Sequence, residues 1–508
     1  MNRRDLLKLM SGTALGVMSA AVLPPMSARA ADRDTLEVTL TARPHVYRPV
    51  PDALFYGLAY NGQIPGPMIR TRAGQRFRAR FINHSGGGGT IHWHGMILPN
   101  DMDGVPDITQ MPVPDGGAFT YDFTPNPPGF RWYHDHAGLG AARGLFGAFI
   151  VDDPRDEKAD VEAVLIFHDV PDMESVADAL QDVSTAPMVV PPGLRRTMKM
   201  PDMKMGPMKT GAMKRMGMKK TGMGDEVAYL ARCVNGALYP QTKPIKVKVG
   251  NRVRLRILNA SPTMTHYIAL GGHKLTVTHS DGNPMLRPVT VEALRVGVAE
   301  RYDAWFEVTK AGAWLLEDLA GDALSRRQAV LIHTEGMEKA PPVKPGQSLA
   351  GVEYFTYPLA GAAGPLRHPL VPGRIDVTAD YTLGGGKWGV PRWTMNGKIW
   401  PHTQKIFVNR GDRVLVRFKN HTDMDHPMHL HGHVFQLVEL NGQSLTQPLP
   451  KDTTLIPANG GTGTWFFEAT SPPGRWVLHC HNDIHMEDGM MTEVYYKGPQ
   501  SKYYLTGS

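Results

Sequence analysis

The chain has 508 residues, enough for about three domains of ordinary size. Apolar residues make up 42% and charged residues 20%, which excludes a disordered or fibrous chain and leaves material for full hydrophobic cores. The formal charge of +7 is local: residues 1–30 hold a net +3 and residues 195–223 hold nine Lys or Arg against one Asp, so the remainder is near −4 and no nucleic-acid partner is implied.

Residues 1–30 read as a twin-arginine export signal. Arg3 and Arg4 precede a short apolar run, Leu15 to Leu23, and Ala28-Arg29-Ala30 is a small-x-small cleavage pattern. The run is too short to span a bilayer and Pro24-Pro25 interrupts it, so no membrane span is expected. In a Gram-negative cell the mature protein would be periplasmic.

Beyond the signal, one pattern occurs three times. It covers residues 60–85, 234–261 and 395–422. Each copy has Asn-Gly, a nearby Pro, a Gly, a basic-apolar alternation and a closing Asn. The segments RFRARF, RVRLRI and RVLVRF alternate with period two, which predicts strands with one buried and one wet face. With 54 Gly and 42 Pro, turns and short strands dominate. The repeat predicts an all-β chain of three Greek-key β-sandwich domains, at 31–152, 160–337 and 348–508. Met173 to Val183 is the one short helix expected.

The first unit carries His92-Trp-His94 and His134-Asp-His136. The third carries His426-Pro-Met-His429-Leu-His431, then His479-Cys480-His481 with His485 and Met490. Ten of the 21 histidines sit in these clusters. On a strand, residues i and i+2 share a face, so each His-x-His presents two imidazoles on one side. Eight such nitrogen donors suit copper, and structural zinc would need only four ligands. In His479-Cys480-His481 the thiolate points away from the flanking rings and can hold a separate copper. Cys480, His426 and His485 form a His2Cys set with Met490 as weak axial ligand, the blue-copper arrangement. The thioether predicts a modest redox potential. Cys233, the other cysteine, is then a lone buried small residue.

These four clusters resemble the signatures of three-domain multicopper oxidases, a family that includes laccases and bacterial copper-efflux and copper-resistance oxidases. The resemblance implies cupredoxin-like domains and four copper ions. His426, Cys480, His485 and Met490 would hold the type 1 copper. His92 and His429 would hold type 2, and His94, His134, His136, His431, His479 and His481 the type 3 pair. It further implies four-electron reduction of O2 to water, fed by single electrons through Cys480. Asp103 stands where the family places an acid that assists proton delivery; it also precedes Gly104 and reads equally as a turn residue. The acid that follows the type 1 histidine in some relatives is replaced by Met486. In the middle unit the corresponding ligand positions are lost, so it reads as a metal-free spacer with His266, His273 and His279 as ordinary polar residues.

Residues 198–223 hold nine methionines, Met198, Met200, Met203, Met205, Met208, Met213, Met216, Met218 and Met223, with no Leu, Ile, Val or aromatic. Such a stretch has no core to join, and thioethers are soft donors that select Cu(I). It resembles the Met-rich segments of periplasmic copper oxidases, although it lies in the middle unit and carries seven Lys or Arg. A low-complexity basic linker is the alternative. Asp423 and Met424, just before His426, resemble a substrate Cu(I) site of copper-efflux oxidases, or are a surface loop. The expected function is oxidation of Cu(I), with phenols as further substrates, by a monomer. A phenol-specific laccase and a copper-sequestering protein are the competing readings; the complete ligand set argues against the latter.

Overall fold

The three Asn-Gly pairs turn the chain identically. Asn61, Asn235 and Asn396 have φ of 53°, 50° and 53°, and the glycines that follow have 76°, 82° and 71°. These left-handed values suit Asn and Gly and close tight hairpins. Each Asn side chain then straps a neighbouring strand, accepting from the backbone N–H of Thr41, Ile166 or Thr382 at 2.7–2.8 Å. The closing Asn of each repeat does a second job. Asn83, Asn259 and Asn420 donate to two carbonyls each: Gly87 and Val113, Met264 and Val296, Met424 and Ile456.

The computed structural model describes residues 34–50, 53–181, 227–320, 324–346, 349, 351–361, 371, 373–386 and 392–498. The export signal and the methionines of 198–223 lie outside these. The described chain is all-β and cupredoxin-like, with six sheets in three pairs of four and four, six and six, and seven and five strands. In each unit the alternating segment sits between a parallel and an antiparallel neighbour. Arg76–Asn83 pairs with Thr35–Val50 and Ala118–Phe123. Arg252–Asn259 pairs with Val161–Pro171 and Arg301–Glu307. Arg413–Asn420 pairs with Val377–Gly384 and Thr462–Glu468.

The one-face-wet expectation holds for Arg76–Asn83 and Arg413–Asn420, whose burial alternates. It fails for Arg252–Asn259, which is buried on both faces after its first residue. Arg254 and Arg256 are accommodated there because Asp303, Asp156 and Glu162 pair with them. Tyr354–Phe355, inside the range assigned to the third unit, adds to the middle unit by pairing with Ala293–Val296. The expected helix spans Met173–Gln181. A second, Asp483–Glu487, is capped by Asn482, whose Oδ1 accepts from Ile484 and His485. Among the described residues no helix is long and apolar enough to cross a membrane.

Candidate metal centres

The His-x-His pairs lie in register on adjacent strands. His92 is opposite His134, and His429 is opposite His479. The first and third units press these faces together: His92 stacks on His431 with centroids 3.8 Å apart, and His94 on His429 at 3.7 Å. All eight rings of the four pairs are buried. Donor atoms of His92, His429 and His431 lie within 4.8 Å of one another, as do those of His92, His94 and His134, and of His136, His431 and His479.

Hydrogen bonds select which nitrogen faces inward in six of the eight rings. The Nδ1–H groups of His92, His134, His429 and His479 donate to the carbonyls of Asp103, Asp135, Asp452 and Cys480 at 2.8–2.9 Å. His431 Nδ1–H donates to Asp103 Oδ2 at 2.8 Å. His94 is reversed: its Nε2–H donates to Asp452 Oδ1 at 3.1 Å. Seven ring nitrogens are consequently buried with no hydrogen-bond partner: Nε2 of His92, His134, His136 and His429, Nδ1 of His94, and both of His481. Each orphaned polar atom costs about 1–3 kcal/mol, and a cation is what relieves them together. Nε2 of His431 and of His479 face each other at 3.1 Å, two lone pairs that only a shared cation reconciles.

Burial, then repulsion among the rings, holds His94, His134, His136, His429, His431 and His481 well below the ordinary imidazole value. Burial brings His479 down to about 4. These seven rings are therefore neutral, the form that binds metal.

Cys480 ends the strand Arg475–Cys480, and its side chain faces away from those of His479 and His481. Its Sγ lies 3.6 Å from His426 Nδ1 and 3.4 Å from His485 Nδ1, and the two nitrogens are 3.0 Å apart. A point equidistant from these donors is about 2 Å from each, a first-row metal–ligand length. His426 Nε2–H donates to Thr422 Oγ1 at 2.8 Å, which turns Nδ1 inward. Met490 is buried in the same core, and its carbonyl accepts from the Cys480 N–H at 3.0 Å. Trp393 covers the set: its ring is 3.8 Å from that of His485 and 5.4 Å from that of His426. The Trp393 N–H donates to Asp488 Oδ2 at 2.5 Å.

Asp103 is fully buried and touches both outer units, through His92 in its own and His431 in the third. Gly104, at φ +77°, passes so close to the Ile91 carbonyl that a Cβ would lie 1.9 Å from its oxygen. Met424 is half-buried against the core, Asp423 is exposed, and Asp425 is spent on Arg295 and the Ala458 N–H.

Several neighbours of the centres were not anticipated. Asp135, between two histidines, is raised to about 7 by burial and accepts from the Thr90 N–H. Its position inside His-x-His was the available signal. Thr422, Trp393 and Asp452 carry no motif of their own. In the middle unit His266 is more than an ordinary polar residue. It is fully buried, with Nδ1 2.9 Å from Asp318 and Nε2 3.5 Å from Asp169. Burial pulls its pKa down, but the two carboxylates outweigh burial and hold it above the ordinary value.

An all-β three-unit architecture with these histidine faces defines the class of blue copper oxidases built from cupredoxin domains. Three multicopper oxidase family models match, over residues 51–156, 209–329 and 372–500. The multicopper oxidase MmcO of Mycobacterium tuberculosis is 33% identical, over 94% of this chain and 90% of that protein. Copper resistance protein A of Escherichia coli is 26% identical, over 85% of this chain and 88% of its own. The crystal structure of a laccase from Botrytis aclada shares the fold, with a TM-score of 0.68 at 21% identity, covering 91% of this chain and 88% of that one. The chain belongs to the multicopper oxidase family, which carries four coppers: one type 1, one type 2 and two type 3.

Proposed function

We propose that the protein is an exported copper(I) oxidase that also turns over phenols. When bound, the type 1 copper takes electrons singly and the three-copper group passes four of them to O2, giving water. In this reading His426, Cys480, His485 and Met490 hold type 1, and His92 and His429 hold type 2. The type 3 ligands are His94, His134, His136, His431, His479 and His481. Cys480 joins the two centres through its own backbone. Asp103 orients His92 and His431 and keeps an acid where protons are consumed. Residues 1–30 direct export to the periplasm, and the mature chain divides near the limits read from its repeats, with the middle unit extended to Phe355.

One observation carries the copper(I) assignment. Helix Met173–Gln181 and Val227, the described ends that flank the methionine-rich stretch, both pack on Ile484, next to His485. The chain thus leaves for and returns from nine thioethers beside a proposed type 1 ligand. Soft thioethers hold Cu(I) without competition from protons, and Met424 and Asp423 add a thioether and a carboxylate just before His426. A laccase reading draws support from the ion pair of Asp425 with Arg295, which leaves one acid of this loop for a cation. The test is steady-state O2 consumption with Cu(I) and with a phenol, for the full chain and for a deletion of 198–223. Loss confined to Cu(I) supports the recruiting role. Equal rates with both donors would make the stretch a linker and favour the laccase.

A further inference from the structure

Six charged side chains meet, fully buried, where the three units join. Arg131 comes from the first unit, Asp281, Glu300 and Arg301 from the middle one, and Lys451 and Asp452 from the third. Three cations balance three anions. Removing ions from water costs several kcal/mol apiece, so such a cluster needs a reason beyond cohesion.

Asp452 supplies one. Its Oδ1 accepts from His94 Nε2–H at 3.1 Å, and its carbonyl accepts from His429 Nδ1–H at 2.8 Å. One residue of the third unit therefore fixes the tautomer of a ring from the first unit and of a ring from its own. The carboxylate is in turn gripped by Arg301 of the middle unit, with Nη1 on Oδ1 at 2.7 Å and Nη2 on Oδ2 at 2.6 Å. The guanidinium is itself pinned. Nη1 donates to the Ala299 carbonyl at 3.0 Å and Nη2 to that of Asp281 at 3.1 Å. The Asp452 N–H donates to Asp281 Oδ2 at 3.1 Å, so the middle unit holds this residue by backbone and side chain alike. Gly95, directly after His94, leaves the space: a Cβ there would lie 2.5 Å from Arg301 Nη2 and 2.5 Å from Asp452 Oδ2.

We infer that Arg301 is a positioning residue for the three-copper centre, acting through Asp452 on His94 and His429. The metal-free middle unit is then more than a spacer. Its planar two-pronged grip sets the angle of the Asp452 carboxylate, which a single-point ammonium does not reproduce. With Asp452 free to turn, His94 Nε2–H keeps only its longer contact to Thr453 Oγ1, 3.3 Å, to reserve Nδ1 for metal. Outer partners of this kind tune metal affinity about 10- to 100-fold. The inference rests on the assignment of His94 and His429 as copper ligands.

The experiment titrates copper-loaded protein with a chelator, and counts copper by mass spectrometry. The blue thiolate band reports type 1 and the paramagnetic resonance signal reports type 2. Arg301→Lys is expected to release the three-copper centre at about 10- to 100-fold weaker chelation, with the blue band unchanged. Asp452→Asn is read the same way, so the question stays open to test if Arg301→Lys does not fold. Tyr357→Phe is the control. It deletes a hydroxyl that donates to Glu300 at 2.6 Å in the same cluster without touching Asp452, and should load copper as the wild type does. Wild-type behaviour of both Arg301→Lys and Asp452→Asn, parallel loss of type 1 copper in them, or an equal loss in Tyr357→Phe would each overturn the inference. A wild-type protein that held type 1 copper alone would overturn the ligand assignment as well.

Discussion

The buried His266 pair of contacts makes a prediction that can be worked from geometry. His266 occupies in the middle unit the place that His426 occupies in the third, and faces Asp318 and Asp169 where a metal ligand set would be. Arg232 and His168 are the other titratable groups nearby; burial lowers His168 to about 3. His266→Gln removes the cation between two buried carboxylates, which keep neutral donors (Ser261 and Gln328 on Asp169, the Tyr267 and Ala320 N–H groups on Asp318), at a cost of about 3–5 kcal/mol. For a unit of this size that is on the order of 10 °C in unfolding temperature. The cost depends on pH with a definite sign. Because the folded pKa of His266 lies above the ordinary 6.5, its protonated form stabilises fully below 6.5 and the benefit fades as pH rises through the folded value. The many histidines with lowered values act oppositely, weakening the fold as pH falls, but they are common to both proteins. Calorimetry of wild type and His266→Gln across pH isolates the term: the gap should be widest at low pH and narrow upward. A gap that is flat with pH, or widens upward, would refute the reasoning.

Cys480→Ser should abolish the blue band and lower the copper count from four to three per chain, with the type 2 signal kept, since the flanking rings do not depend on sulfur; a loss of all copper would contradict this. Trp393→Ala removes the ring packed at a tilt on His485, and should cost about 3–5 kcal/mol and weaken the blue band; an unchanged spectrum and unfolding temperature would count against the cover. Asn420→Ala removes a donor from the Ile456 carbonyl and leaves the Met424 carbonyl to Thr422 Oγ1, at about 1–3 kcal/mol, and should shift the blue band because Thr422 beside it bonds His426. Stripping copper should lower the unfolding temperatures of the first and third units more than that of the middle one, which scanning calorimetry with and without chelator can resolve.

What was legible in the sequence was short in range. Asn-Gly followed by an alternating strand and a closing Asn states its own turn and its own strap, so three sandwiches could be read from three copies. His-x-His states its own face. Contacts between distant segments stayed hidden. Nothing local to Asp452 shows that it will meet His94, because the encounter depends on three units closing together. The Arg254 and Arg256 pattern looked wet because period two says nothing of a linker carrying Asp156 that folds over it. Met490 could be placed by its spacing from Cys480, whereas Trp393 had no spacing to announce it. The middle unit misled for a related reason: loss of the metal ligands reads as loss of purpose, while the acids that replaced them bind a histidine instead.

The ring stacks of His92 on His431 and His94 on His429 have a bearing on how the protein matures. Their two halves come from opposite ends of the chain. Before those ends have met, neither offers the full set of eight rings. The proposed three-copper pocket therefore exists only after the first and third units have closed on each other. A cation held by rings of both units, such as His92, His429 and His431, would fasten the first unit to the third at their shared seam.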